Sequence, residues 1–126
     1  MKLVLLSIAA SSFFGATLTS PVAPKQEDPK PISFKETVTP VLKKYCYNCH
    51  AGQEARKGLK VDTYDNIMKG TTYGKVVIAK KSADSVLVKA IKKIPGASAM
   101  PPSRRKMTET EIKIISDWID QGAKNN

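Results

Sequence analysis

Apolar positions recur with helical spacing most clearly near the C-terminal end of the chain. Ile112, Ile115 and Ile119 form a stripe with Trp118 beside them, the pattern of a helix that buries one face. Thr108-Glu109-Thr110-Glu111 reads as a capping box, Met107 and Ile112 stand at the two positions of a hydrophobic staple, and Gly122 is the stop. A second stripe runs through Leu87, Ala90, Ile91 and Ile94; Ser82 or Asp84 is its cap and Pro95-Gly96 its end. A shorter helix is expected from Asp62 or Thr63 through Met68, stopped at Gly70. Leu59 and Val61 point inward just before it. Val76-Val77-Ile78 is too short an apolar run to separate strand from buried connector.

Further upstream, Ser33-Phe34-Lys35-Glu36 fits a capping box, but Pro40 stands within the run that follows. The expectation is a short first turn, then a helix with Thr39 as N-cap and Pro40 at its first position. Phe34 and Val38 are expected in the core, and Val41, Leu42 and Tyr45 lead into Cys46. No internal repeat is visible. The pattern is all-α: three to five short helices joined by substantial loops.

The chain has 126 residues, enough for one domain. Lys2 followed by a mostly apolar run from Leu3 to Leu18 reads as a secretory signal peptide over residues 1–20. The run is shorter than the roughly 20 apolar residues of a membrane-spanning helix, although no clear cleavage point stands between Ala16 and Ala23. An uncleaved N-terminal anchor is therefore the alternative. Residues 21–31 are Pro-rich and charged, the composition of an extended linker. The domain is expected over residues 32–123, with a tail at 124–126. Roughly 90 residues bury only a modest core, which a covalent staple would enlarge.

Such a staple is written into Cys46-Tyr47-Asn48-Cys49-His50. Cys-x-x-Cys-His is the attachment pattern of a c-type haem: two thiols form thioethers to one porphyrin and the adjacent histidine reaches its iron. Cys46 and Cys49 are the only cysteines and His50 the only histidine, so the four ligands of a structural zinc site are lacking. A thioredoxin-like Cys-x-x-Cys belongs near a βαβ pattern, which is missing here. Thiol–disulfide chemistry is the competing reading. One haem c, carried by Cys46 and Cys49 with His50 on the iron, is the expected cofactor.

Histidine pairing at the iron is excluded within a chain that has one histidine. Methionine suits electron transfer because it raises the reduction potential. Met68 and Met107 already have packing roles, whereas Met100 stands in Ala97-Ser98-Ala99-Met100-Pro101-Pro102, where no regular element needs it. Met100 is the candidate second axial ligand.

These residues together resemble a small monohaem class I cytochrome c, most like the planctomycete-type cytochrome c domain. The resemblance is carried by Cys46-x-x-Cys49-His50, Gly58-Leu59-x-x-Asp62, Ser85-x-Leu87, Met100-Pro101-Pro102 and Trp118-Ile119-x-x-Gly122-Ala123. It implies thioethers at Cys46 and Cys49, axial ligands at His50 and Met100, and short helices with long loops wrapped around one covalent haem. Ala79-Lys80-Lys81 departs from the pattern, because relatives tend to have a Pro-Gly turn there.

The formal net charge is +10. Nucleic acid is the first thought for a basic chain, but an export signal and the lack of a basic reading element argue against it. Lys43, Lys44, Arg104, Arg105 and Lys106 flank the two haem-binding segments and are expected to steer an acidic redox partner, such as a larger dehydrogenase or oxidase. An anionic membrane surface is a second candidate. The expected function is an exported, periplasmic single-haem electron carrier that transforms no substrate and is not an enzyme. The alternative is a haem-based small-ligand sensor or haem enzyme subunit with an open or weakly capped iron.

Overall fold

The computed structural model describes residues 29–102 and 104–126. The signal peptide expected at residues 1–20 and most of the expected linker lie outside the described residues. Five α-helices carry the rest: α1 (Thr39–Tyr45), α2 (Tyr47–His50), α3 (Tyr64–Lys69), α4 (Val86–Ile91) and α5 (Glu109–Asp120). Among the described residues there is no β-strand; Val76 and Val77 are buried in an irregular connector. The fold is all-α and consistent with a small cytochrome c-like architecture.

The N-terminal helix differs from expectation at Thr39. Ser33 caps it, its hydroxyl accepting from the Glu36 N–H at 3.1 Å. A wide π-helical turn over Phe34–Val38 then runs straight into α1. Thr39 has helical backbone angles, and its hydroxyl donates to the Phe34 carbonyl at 2.9 Å instead of capping α1. Pro40 falls at the start of α1, directly after the wide turn, where a proline's fixed φ suits the helix. The chain thus passes a proline without breaking.

Thr63 caps α3 and Gly70 ends it at φ 88°. A Cβ at Gly70 would collide with the Gly74 carbonyl, so the turn that follows needs a glycine there. Ser85, not Ser82 or Asp84, stands at the N-cap of α4. Its buried hydroxyl accepts from the Ile78 N–H at 2.9 Å and donates to the Lys81 carbonyl at 2.8 Å, fastening the 78–85 loop. That helix ends at Ile91, and Ile94 is exposed, outside the stripe expected for it. Lys93 turns into left-handed backbone (φ 55°) before Pro95 is reached.

α5 forms as its sequence demands. Thr108 and Glu111 complete the reciprocal capping box, and Met107 and Ile112 are both buried. Trp118 is fully buried against Phe34 (centroids 5.2 Å) and Tyr64 (6.5 Å), and its Nε1 donates to the Lys124 carbonyl at 2.9 Å. The Asn126 carbonyl accepts from the Lys35 N–H at 3.0 Å and from the Ser33 hydroxyl at 2.8 Å. Residues 124–126 are therefore fastened to the N-terminal helix.

Candidate functional site

α1 delivers the Cys-x-x-Cys-His segment. The Cys46 N–H closes the last turn of α1 on the Leu42 carbonyl (2.8 Å), and the His50 N–H donates to the Cys46 carbonyl (2.9 Å). Positions 46, 49 and 50 therefore share a helix face, as i, i+3 and i+4 do. All three line one cavity of about 450 Å³, within the roughly 300–1,000 Å³ common for cofactor sites. The His50 carbonyl accepts from the Val61 N–H at 2.8 Å. That bond folds the following loop back so that Leu59 and Val61 become cavity wall.

The facing wall comes from α4 and the segment after it. Leu87, Ala90 and Ile91 line the cavity, as do Val76 and Met100-Pro101-Pro102. The Met100 N–H donates to the Ala90 carbonyl at 3.0 Å, which pins the methionine segment to the end of α4. Met68 and Met107 instead pack in the core and are not part of the lining. Among the described residues, then, Met100 is the methionine that shares a cavity with Cys46, Cys49 and His50.

Both cysteines are free thiols. Burial, with the Cys49 thiol beside it, pushes the Cys46 thiol up to about 11, the reverse of the lowered values that make Cys-x-x-Cys oxidoreductases reactive. The His50 Nδ1 is buried without a hydrogen-bond partner. Two thiols, an imidazole and a thioether on apolar walls are a donor set that fits a haem. Cys46 and Cys49 would hold it covalently, and His50 and Met100 would supply a nitrogen and a sulfur donor to its iron.

One residue outside the cavity ties α5 to α1, the helix that delivers the cysteines. The Glu111 carboxylate pairs with Lys44 Nζ at 2.7 Å and accepts from the Tyr45 hydroxyl at 2.8 Å and from the Thr108 N–H at 2.9 Å. The Lys44 bond is the main cause that holds its carboxyl down at about 2, with the Thr108 N–H and the Tyr45 hydroxyl adding to it. Arg105 donates to the Lys44 carbonyl at 3.1 Å. Two cations expected to face a partner, Lys44 and Arg105, are thus engaged within the chain. Glu111 was readable as a capping residue; its hold on α1 has no signature in the sequence.

The cavity mouth also carries residues that periodicity did not single out: Arg56, Lys57, Thr71, Tyr73 and Lys75. Gly70 and Gly74, bracketing Thr71-Thr72-Tyr73, were the available signal for a tight turn there.

A small all-α chain that places this donor set around an apolar cavity is a c-type haem protein by its site. The comparison with protein families agrees: the family described as Planctomycete cytochrome C matches residues 46–104. The match runs from the first cysteine through the methionine loop, and so takes in Cys46, Cys49, His50 and Met100 together. No curated protein and no solved structure matches the chain significantly.

Proposed function

We propose that the chain is an exported single-haem electron carrier, with His50 and Met100 as the axial ligands and no substrate transformed. The observation that carries this reading is the shared cavity: Cys46, Cys49 and His50 line it on the α2 side and Met100 on the side pinned to α4. Haem bound there supplies a one-electron ferric/ferrous couple. Leu59, Val61, Val76, Leu87 and Ile91 keep water from it, and an apolar surround disfavours the more charged ferric form. Methionine ligation raises the potential in the same direction. The export proposal rests on Lys2 and the apolar run from Leu3 to Leu18.

The test is the absorption spectrum of protein made with cytochrome c maturation factors, oxidised and reduced, for wild type and Met100→Ala. Wild type should show covalent haem, sharp low-spin ferrous bands and a weak ferric sulfur-to-iron charge-transfer band that the variant loses. A high-spin wild type, or a variant with the same spectrum, removes Met100 from the iron and favours a ligand-sensing haem. Protein without haem overturns the reading altogether.

A further inference from the structure

We infer that His50 binds its iron as an imidazole whose Nδ1–H has no acceptor, a weak neutral donor oriented by its main chain. The inference rests on the axial-ligand reading and adds how this chain sets the strength of that ligand.

The first observation concerns which nitrogen faces the cavity. His50 lines it, yet less than 1 Å² of Nδ1 is open to water and the atom has no hydrogen-bond partner. Among the described residues it is the one buried side-chain nitrogen or oxygen left so. An atom turned to a cavity of about 450 Å³ would be reachable from it. Nδ1 therefore points into the protein, and Nε2 is the nitrogen left for an iron. A bridging water is excluded by the same measure, because room for a water beside Nδ1 would make the atom accessible.

Buried polar atoms without a partner are few in folded chains, and at a ligand the effect is chemical. A metal-bound imidazole ordinarily donates its other N–H to a carboxylate, a carbonyl or water, which fixes the ring and raises its basicity. Without that bond Nε2 is a weaker donor and stabilises ferric iron less. The potential rises, in the same direction as methionine ligation takes it. The carboxylates around the segment are engaged elsewhere. Asp62 accepts from Asn66 Nδ2 at 2.8 Å, and Glu111 holds Lys44 and Tyr45.

Orientation comes from the main chain instead. The His50 N–H donates to the Cys46 carbonyl at 2.9 Å, and the His50 carbonyl accepts from the Val61 N–H at 2.8 Å. The Tyr47 hydroxyl donates to the Asp62 carbonyl at 3.3 Å, and Asp62 is fixed to α3 through Asn66. α2 is thus fastened to residues 61–62 at both of its ends, Tyr47 and His50. The backbone that carries the imidazole is held, although the ring's own N–H is not.

The test reads the iron–histidine bond by resonance Raman spectroscopy of haem-loaded, reduced Met100→Ala, in which the iron has lost its methionine. The iron–histidine stretch should fall at the low frequency of ferrous haem with 2-methylimidazole in an apolar solvent. It should lie below the frequency that the same complex takes when a carboxylate accepts from the imidazole. In the ferrous wild type, proton NMR should place the Nδ1 proton where an unbonded imidazole N–H resonates, with no cross-peak to water. Asp62→Ala in the Met100→Ala background should broaden the stretch at an unchanged centre, because the ring loses its aim and gains no acceptor. A high-frequency stretch, a downfield Nδ1 proton or a water cross-peak overturns the inference and leaves His50 on the iron. A band as sharp with Asp62→Ala as without it overturns the orientation by residues 61–62. Reduced protein with no iron–histidine stretch, or with no haem, sinks the axial reading itself.

Discussion

Phe34, Tyr64 and Trp118 fill the space beneath α5 with their own side chains, ring against ring. Leu59, Val61, Val76, Leu87 and Ile91 line instead a cavity of about 450 Å³ bounded by two thiols, an imidazole and a thioether. The first region is closed by the chain alone: the Tyr64 hydroxyl donates to the Ala123 carbonyl at 2.8 Å, and Asn126 is tied back to Ser33 and Phe34. The second is completed by a group the chain does not encode. The packed side is thus a frame, and the cavity side is a socket joined to it through α1, with the Met100–Ala90 hydrogen bond closing the socket's own far wall.

The sharpest way to break the comparison is to deny the socket its cofactor. Cys46→Ala with Cys49→Ala should carry no covalent haem after acid–solvent extraction. Native-state hydrogen exchange should then show α4 and the Met100 segment losing protection first, while the α5 amides keep theirs. Equal loss in both regions would mean that the frame does not stand without the socket.

The converse test attacks the frame. Trp118→Ala removes the largest fully buried side chain and should cost about 3–5 kcal/mol, read by denaturant unfolding of the haem-loaded protein. The thioethers should keep the haem attached even as the midpoint falls. A loss below about 1 kcal/mol would show that the aromatic cluster is not the frame's centre.

What could be read in the sequence follows the same division. α5 was legible almost to the residue because its cap, staple and stripe are local signals that agree with one another. The donor set was legible because Cys-x-x-Cys-His is a chemical pattern, independent of fold. The joints between elements were not. Thr39 looked like a cap because the hydroxyl that would cap α1 is the same one that bonds the carbonyl of Phe34 in a wide turn. Ser85 was passed over as the N-cap of α4 because its hydroxyl serves a loop seven residues upstream instead of the helix. Lys44 and Arg105 looked free because their partners are 67 and 61 residues away in the chain.

Glu111 is the joint at which frame and socket meet, and its effect should be intermediate. Its carboxyl lies well below the ordinary value of 4.5, at about 2. A lowered folded-state value means that its contribution is complete above about pH 4.5 and is lost as the pH falls towards 2. Glu111→Gln should therefore lower stability at neutral pH and flatten that acid limb, measured by thermal melting between pH 2 and 7. Thr108→Ala should cost about 1 kcal/mol through the cap while leaving the Lys44 pair, and most of the acid limb, in place. If both variants keep the wild-type slope, the carboxylate does not link α5 to α1.

The smallest expected effect concerns the segment that departs from the family pattern. Ala79-Lys80-Lys81 forms its turn with Lys80 in left-handed backbone (φ 65°), and the Lys80 N–H donates to the Ile119 carbonyl at 2.7 Å. Ser82 adds two bonds to the Asp120 carboxylate, at 2.9 and 2.8 Å. A lysine thus does what glycine does more easily, and α5 holds it there. Left-handed backbone costs an L-residue roughly 1–2 kcal/mol, against the roughly 0.5–1 kcal/mol by which glycine's greater freedom in the unfolded chain offsets the gain. Lys80→Gly should therefore raise stability by about 0.5–1 kcal/mol without touching the haem spectrum. Because this turn is fastened to α5, the gain belongs to the frame. A change in the Met100-dependent band would instead place it in the socket and redraw the boundary between the two.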